Sequence, residues 1–212
     1  MRITPTMRAR STRTVSSALA ALAAVLALSA AAPAAPLIRT VERHYDIAGA
    51  DIATLRAQMA DLGPFSARAE RHVPARMEAD IGFRFTPRRQ SGACVLGNIA
   101  VTADITYHYP RWTGVASSTM YLAEKWSNYI ASLRTHELGH GQLVIDAAHE
   151  VDATLIATGR WKRCDQLRAA ARSRGEAILR RLEEAQIEYD ALTGGGETQG
   201  AVLRAADVAV VN

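Results

Sequence analysis

Residues 126–155 read WSNYIASLRTHELGHGQLVIDAAHEVDATL and predict one long amphipathic helix. Apolar residues recur there every three or four positions, a spacing that keeps them on one face of a helix. They are Trp126, Ile130, Leu133, Val144, Ala148, Val151 and Leu155. Ser117 or Ser118 is expected to cap the start of this helix, and Gly159 is expected to end it. The rest of the domain must pack against its apolar face.

Within this helix, residues 136–140 read H-E-L-G-H, so His136 and His140 lie one turn apart on the same side. Both imidazoles can therefore reach one metal ion, and this spacing is typical of zinc. Glu137 lies beside them, where its carboxylate is expected to act as general base on a zinc-bound water. On a helical wheel all three side chains interrupt the apolar face. Because unpaired buried charge costs several kcal/mol, a bound metal explains the three together.

A catalytic zinc ion needs a third protein ligand, and the helix itself does not supply one. If the helix continues, Asp146 and His149 point away from the motif, and Glu150 lies about 15 Å further along the axis. The third ligand must then come from another part of the chain. The candidates are Glu176, Asp165, His44 and His108.

The chain before this helix predicts strands and a short helix. Residues 41–47 are expected to form a strand, and Asp51 to cap a helix that ends at Gly63-Pro64. Residues 81–85 alternate between apolar and other side chains, and residues 95–107 are rich in Val, Ile, Thr and Tyr. Together they predict two antiparallel strands. The turn between them is expected to be an exposed loop over residues 87–92.

After the long helix, residues 164–189 predict a second, strongly charged amphipathic helix. The three glycines at residues 194–196 then break regular structure, and a loose tail is expected. The fold class is therefore α+β, with a small antiparallel sheet packed beside the long HExxH-bearing helix and the second amphipathic helix.

The composition indicates a single exported domain. The chain has 212 residues, of which 49% are hydrophobic and 22% charged. Residues 1–34 contain four arginines, no acid, an apolar run at 18–28 and an A-x-A pattern, which predicts a signal peptide cleaved after Ala34. The run is shorter than the about 20 residues of a membrane span. A retained N-terminal anchor is the alternative. Residues 35–203 are thus expected to form the domain, periplasmic or secreted, with a tail at 204–212.

The charge balance limits the classes of binding partner that the sequence predicts, and the cysteine count indicates the compartment. Of the 25 Lys and Arg residues four belong to the leader, so 21 remain against 21 Asp and Glu. Nucleic acid is therefore not an expected partner, and no later segment is long and apolar enough to span a membrane. Cys94 and Cys164 predict one disulfide in an oxidising compartment. Two free thiols, or a cysteine that binds metal, are the alternatives.

Several motifs follow one another in the chain. They are Tyr45-Asp46-Ile47, Gly63-Pro64, Tyr109-Pro110-Arg111-Trp112, Trp126-x-x-Tyr129 before HELGH, and Tyr189-Asp190-x-x-Thr193-x-x-Gly196. From about residue 41 to 203, this order resembles a bacterial domain-of-unknown-function family whose members are described as predicted secreted zinc-dependent proteases. The resemblance implies a zincin-like metallopeptidase fold, with His136 and His140 as zinc ligands and Glu137 as catalytic base. The closing motif of such proteins commonly reads Y-D-x-x-T-x-H-G, and Gly195 stands here at the histidine position.

These observations lead to an expected function and two alternatives. We expect an exported zinc-dependent metallopeptidase that hydrolyses peptide bonds in a peptide or protein substrate. The first alternative, which Gly195 favours, is a non-catalytic envelope protein that retains a structural zinc site, a pseudoenzyme. The second is a metal-free interaction domain. Water at the fourth zinc position would permit catalysis, whereas a fourth protein ligand would make the site structural.

Overall fold

The computed structural model describes residues 35–204, which form a mixed α+β domain with a small sheet and three α-helices. The predicted α+β class is therefore confirmed. The predicted signal peptide at 1–34 and residues 205–212 of the predicted tail lie outside the described residues. Between residues 35 and 204, no helix combines the length and the hydrophobicity that crossing a bilayer requires.

The elements have the following bounds. They are β1 (Leu37–Ile47), α1 (Ile52–Leu62), β2 (Phe65–Ser66), β3 (Arg71–His72), β4 (Arg76–Gln90), β5 (Ala93–Trp112), α2 (Met120–Ile156) and α3 (Cys164–Thr193). β1, β5 and β4 form the main sheet in that order, and β2 and β3 form a separate two-stranded hairpin. The predicted first strand is confirmed, as is the cap of α1, where the Asp51 carboxylate accepts a hydrogen bond from Thr54 N at 2.8 Å.

The main sheet is mixed, which corrects the expectation of a purely antiparallel one. β4 and β5 are antiparallel, but β1 pairs in parallel with β5, from Leu37 opposite Thr102 to Ile47 opposite Trp112. A tight turn forces its two strands to be antiparallel. The connection from β1 to β5 instead contains α1 and the whole of β4, and a connection of that length permits either direction.

The predicted loop at residues 87–92 is also wrong, because the turn contains only two residues. Residues 87–90 continue β4 and pair with residues 93–96 of β5. Ser91 and Gly92 form the turn with φ of 48° and 77°. Two successive left-handed residues are what a two-residue type I′ hairpin requires. Pro87 fits within β4 because β4 is an edge strand of the described sheet, where a missing N–H is tolerated.

The two long helices differ from the prediction at their ends. α2 is capped by Thr119, whose hydroxyl accepts a hydrogen bond from Leu122 N, and not by Ser117 or Ser118. The predicted apolar face of α2 is confirmed, since six of its seven residues are buried and Ile130 is half-buried. α3 continues to Thr193, four residues beyond its predicted end.

The segment after α3 is less loose than expected. Gly194, Gly195 and Gly196 all have positive φ and turn the chain back toward α2. A short 3₁₀ turn at Glu197–Gln199 follows, and Leu203 is buried in the core with 5% of its surface exposed. The chain after α3 thus contributes to the packing of the domain up to residue 203.

The predicted disulfide between Cys94 and Cys164 is present. It joins the start of β5 to the start of α3, and the backbones of Cys94 and Trp161 exchange hydrogen bonds of 2.8 and 2.9 Å beside it. Disulfides persist in oxidising compartments. The bond is therefore compatible with an extracellular or periplasmic protein.

Candidate metal centre

Three side chains converge where α2 passes the C-terminal part of α3. The His136 and His140 Nε2 atoms are 3.2 Å apart, and Asp190 Oδ1 lies 3.3 Å from the first and 3.0 Å from the second. Both histidines are buried, with 5% and 8% of their surfaces exposed. Within residues 35–204, these three residues form the one group of His, Cys, Asp and Glu side chains with the spacing of a metal site.

The size of this triangle fits a metal ion. Ligand atoms about 2.05 Å from a zinc ion in tetrahedral geometry are separated by about 3.3 Å. The observed separations of 3.0 to 3.3 Å lie close to that value. Two imidazole nitrogens and one carboxylate oxygen are also donors that zinc accepts. The residues present thus fit a metal ion, and the identity of the metal is a separate question.

Hydrogen bonds at the far side of each imidazole leave Nε2 available for the metal. Gln186 Nε2 donates to the backbone oxygen of His140 at 3.1 Å, which turns Gln186 Oε1 toward the ring and makes His140 Nδ1 the donor. His136 Nδ1 donates to Gln199 Oε1 at 3.0 Å in the same way. Metal-binding histidines usually have such partners, which determine the tautomer and the direction of the ring.

The electrostatics of the trio also favour a cation. Hydrogen bonds from His136 and His140 hold the pKa of Asp190 well below its usual range, so its carboxylate is charged near neutral pH. Burial by itself lowers the pKa of His140, but hydrogen bonds to Asp190 and Gln186 outweigh it and raise the pKa. When His140 loses the proton on Nε2, the lone pair of that nitrogen faces the Asp190 carboxylate and the Nε2 atom of His136. A cation removes this repulsion.

Glu137 lies next to the trio without joining it. Its side chain is buried, with 5% exposed, and lines the same cleft as His136 and His140. Burial raises the pKa of Glu137, while positive charge on the two histidines opposes this shift. A buried carboxyl group with a raised pKa is suited to take up a proton more readily than an exposed one.

The cleft in front of these residues has a volume of about 580 Å³. α2 and α3 form one wall, and the β2–β3 hairpin with the start of β4 forms the other. Arg68, in the turn between β2 and β3, reaches across so that its Nη1 lies 3.6 Å from Asp190 Oδ2. The site is therefore open to molecules larger than water.

Close contact between α2 and α3 depends on the glycine inside the HELGH motif. A Cβ atom at Gly139 would lie 2.0 Å from the hydroxyl oxygen of Tyr189. The Tyr189 ring stacks on His136 at 5.3 Å and meets the edge of His140 at 4.8 Å between ring centroids. Gly139 thus leaves the space for an aromatic ring that holds both imidazoles in place.

None of the four predicted candidates for the third ligand belongs to the trio. His44 and His108 lie near Glu42 and Glu78, Asp165 pairs with Arg163, and Glu176 lines a different cleft. The helix residues Asp146, His149 and Glu150 are exposed and away from the trio, as expected. Gly195 lines the cleft, and no atom lies within 4 Å of where its Cβ would be.

The sequence analysis named the third member of the trio, Asp190, only within the Tyr189-Asp190 motif and not as a ligand, and the predicted helix ended one residue before it. The observed helix places Gln186, Asp190 and Thr193 at intervals of four and three residues, which puts all three on the face toward α2. Three polar residues in a row on the buried face of a helix are the sequence signal that could have identified Asp190 as a ligand.

Residues 42–197 match the family described as "Bacterial protein of unknown function (DUF922)", and the chain belongs to that family. No curated protein and no solved structure matches it significantly. The description of the family names no activity. Any function must therefore be inferred from the metal centre and its surroundings.

Proposed function

We propose that this member of the DUF922 family is an exported zinc-dependent metallopeptidase. The observation that carries the proposal is the convergence of His136, His140 and Asp190 at metal-ligand distances beside a buried Glu137, within an open cleft. Catalytic zinc sites typically have three protein ligands of these types and one open position. Zinc bound there would polarise a peptide carbonyl and lower the pKa of a water molecule from about 15.7 towards 7.

Glu137 is the general base in this proposal. Its carboxylate, buried at the cleft beside the trio, would accept a proton from the attacking water and deliver it to the leaving amine. Its position one residue after His136 keeps it at the cleft and outside the ligand triangle. Gln186 and Gln199 hold the two imidazoles through Nδ1, so neither ring needs to reorient during turnover.

The β4 edge that lines the cleft supports a peptide as substrate. Arg76, Met77 and Ala79 of β4 line the cleft, and β4 is an edge strand of the described sheet. The Glu137 carboxylate accepts a hydrogen bond from the Met77 backbone, so it lies directly against this edge. The remaining N–H and C=O groups of an edge strand are those that an extended peptide can match.

The alternative, a structural zinc site, requires a fourth protein ligand. The trio has three members among the described residues, and all three line the cleft. This favours an open fourth position and therefore catalysis. Gly195 adds no side chain to the site, so it neither closes the fourth position nor blocks the cleft.

The test compares Glu137→Gln with the parent protein for metal content and for hydrolysis of a quenched peptide library. We expect one zinc ion per chain in both proteins and a loss of hydrolysis of about 10²- to 10⁴-fold in the variant. Glu124→Gln, at an exposed position of the same helix, is the matched control and should behave like the parent. Equal hydrolysis by Glu137→Gln and the parent would exclude this mechanism. Stoichiometric zinc without hydrolysis by the parent would favour the structural site.

A further inference from the structure

Basic side chains are concentrated at the end of the domain that lies far from the metal centre. Residues 84–93 and 160–174 together contain nine Lys and Arg residues and one acid, Asp165. The nine are Arg84, Arg88, Arg89, Arg160, Lys162, Arg163, Arg168, Arg172 and Arg174, and all of them are exposed. We call this set the basic end. The rest of residues 35–212 has 12 basic and 20 acidic side chains, so the charge is strongly polarised.

The fold brings the two segments of the basic end together. Arg160 Nη2 donates to the backbone oxygens of Gln90 and Ser91 at 2.9 and 3.1 Å, which holds the 160–164 loop against the hairpin tip. The disulfide from Cys94 to Cys164 joins the same two segments. The basic end is thus one continuous surface held by covalent and hydrogen-bonded contacts.

At the centre of this surface, arginines surround a second cleft of about 590 Å³. Arg84 of β4 and Arg168 and Arg172 of α3 line it, above the stacked rings of Phe83 and Phe85. None of these three arginines has a carboxylate within ion-pair distance among residues 35–204, although Glu176 lines the same cleft. Their charges are therefore available to an external anion.

α3 connects the basic end to the metal centre. Its first half contains Arg168, Arg172 and Arg174, and four acids lie between residues 183 and 190. The first turn of the helix also carries Asp165, and its last turn has no base. The three arginines thus lie toward one end of the helix, and Asp190 of the metal centre lies toward the other.

We propose that the basic end binds the surface of an anionic phospholipid bilayer and tethers the domain there as a peripheral protein. The nine cations cover a surface much wider than one small anion occupies. A bilayer would touch this end only, whereas a long nucleic acid would also meet the acidic remainder of the domain. Along α3, Arg168 lies about 33 Å from Asp190, so the bound domain holds its metal centre away from the lipid.

The test measures sedimentation of the exported protein, expressed with its own N-terminus so that the leader is processed, with vesicles of phosphatidylcholine alone or mixed equally with phosphatidylglycerol. We expect binding to the anionic vesicles at low salt and its loss at high salt. Since each arginine near an anionic surface contributes about fivefold, Arg168→Gln/Arg172→Gln should weaken binding by about 30-fold. Arg43→Gln/Arg56→Gln removes the same charge far from this end and should change binding by less than about twofold.

The control and two further measurements keep the proposal falsifiable. Should Arg168→Gln/Arg172→Gln fold poorly by circular dichroism, Arg88→Gln/Arg89→Gln at the hairpin tip replaces it with the same expectation. Equal weakening by the Arg43→Gln/Arg56→Gln control would overturn the proposal, because net charge would then be the cause. So would absence of binding to anionic vesicles at low salt. Binding of a short DNA duplex without vesicle binding would identify a different partner.

Discussion

For the substitution Gly139→Ala, helix propensity and the contact with Tyr189 predict opposite effects on the free energy of unfolding. A Gly→Ala change inside a helix normally stabilises it by up to about 1 kcal/mol. At Gly139, however, the new Cβ would lie 2.0 Å from the Tyr189 hydroxyl, and real Cβ contacts are essentially never shorter than 3.0 Å. The tyrosine or the whole of α3 must therefore move by about 1 Å. Overpacking of this kind costs about 1–3 kcal/mol.

The movement should also reach the metal centre. Tyr189 is stacked on His136 and packed edge-on against His140, so its ring has little room to swing aside. Asp190 is the next residue and would move with it, although its Oδ1 must stay near 3.0 Å from His140 Nε2. Because sites of this type tolerate shifts of only about 0.5 Å, we expect Gly139→Ala to weaken zinc binding by at least about tenfold.

The assay combines thermal unfolding of the metal-free protein with competition for zinc against a chelator of known affinity. Ser127→Ala, at an exposed position of the same helix, is the control and should unfold at or slightly above the parent temperature with unchanged zinc affinity. Gly139→Ala should unfold several degrees lower and bind zinc more weakly. If Gly139→Ala is stabilised like the control and binds zinc normally, the helices do not approach as closely as described, and the reasoning fails.

Two other predictions concern the support of the site and of the fold. Gln186→Leu removes both the acceptor for His140 Nδ1 and the donor to the His140 backbone oxygen. Zinc affinity should therefore fall by about 10- to 100-fold, while the circular dichroism spectrum stays unchanged. Unaltered zinc affinity would argue against a role for this amide. Replacing Cys94 and Cys164 by serine opens a 70-residue loop and should lower the free energy of unfolding by about 4 kcal/mol in urea titrations. A loss below about 1 kcal/mol would indicate that the unfolded chain is already compact there.

Sequence reasoning succeeded where the signal is local. The helical period over residues 126–155 predicted the buried face of α2, because side-chain direction in a helix follows directly from position along the chain. The Asp51 cap was predicted for the same reason, since its partner Thr54 lies three residues away. The disulfide followed from a count of two cysteines in a chain expected to be exported.

Sequence reasoning failed where long-range contacts decide the outcome. The direction of β1 depends on which strand it pairs with. β1 pairs directly with β5, although α1 and β4 lie between them in the sequence. The predicted loop at residues 87–92 was replaced by strand pairing, since the cross-strand bonds of β5 outweigh a local preference of Pro87 for loops. α3 extends beyond its predicted end because its last turn packs on α2, where Thr193 is buried.

By itself the sequence determined that two imidazoles and one carboxylate share a buried face of one helix, since residues 136, 137 and 140 of a helix have a set angular relation. Only the tertiary structure decided that Asp190 completes the trio. Asp190 lies fifty residues after His140 in the sequence, and it reaches the two histidines because α3 packs closely on α2 at Gly139. Helical periodicity carries no information about which distant segment packs there, because that packing minimises the free energy of the whole domain.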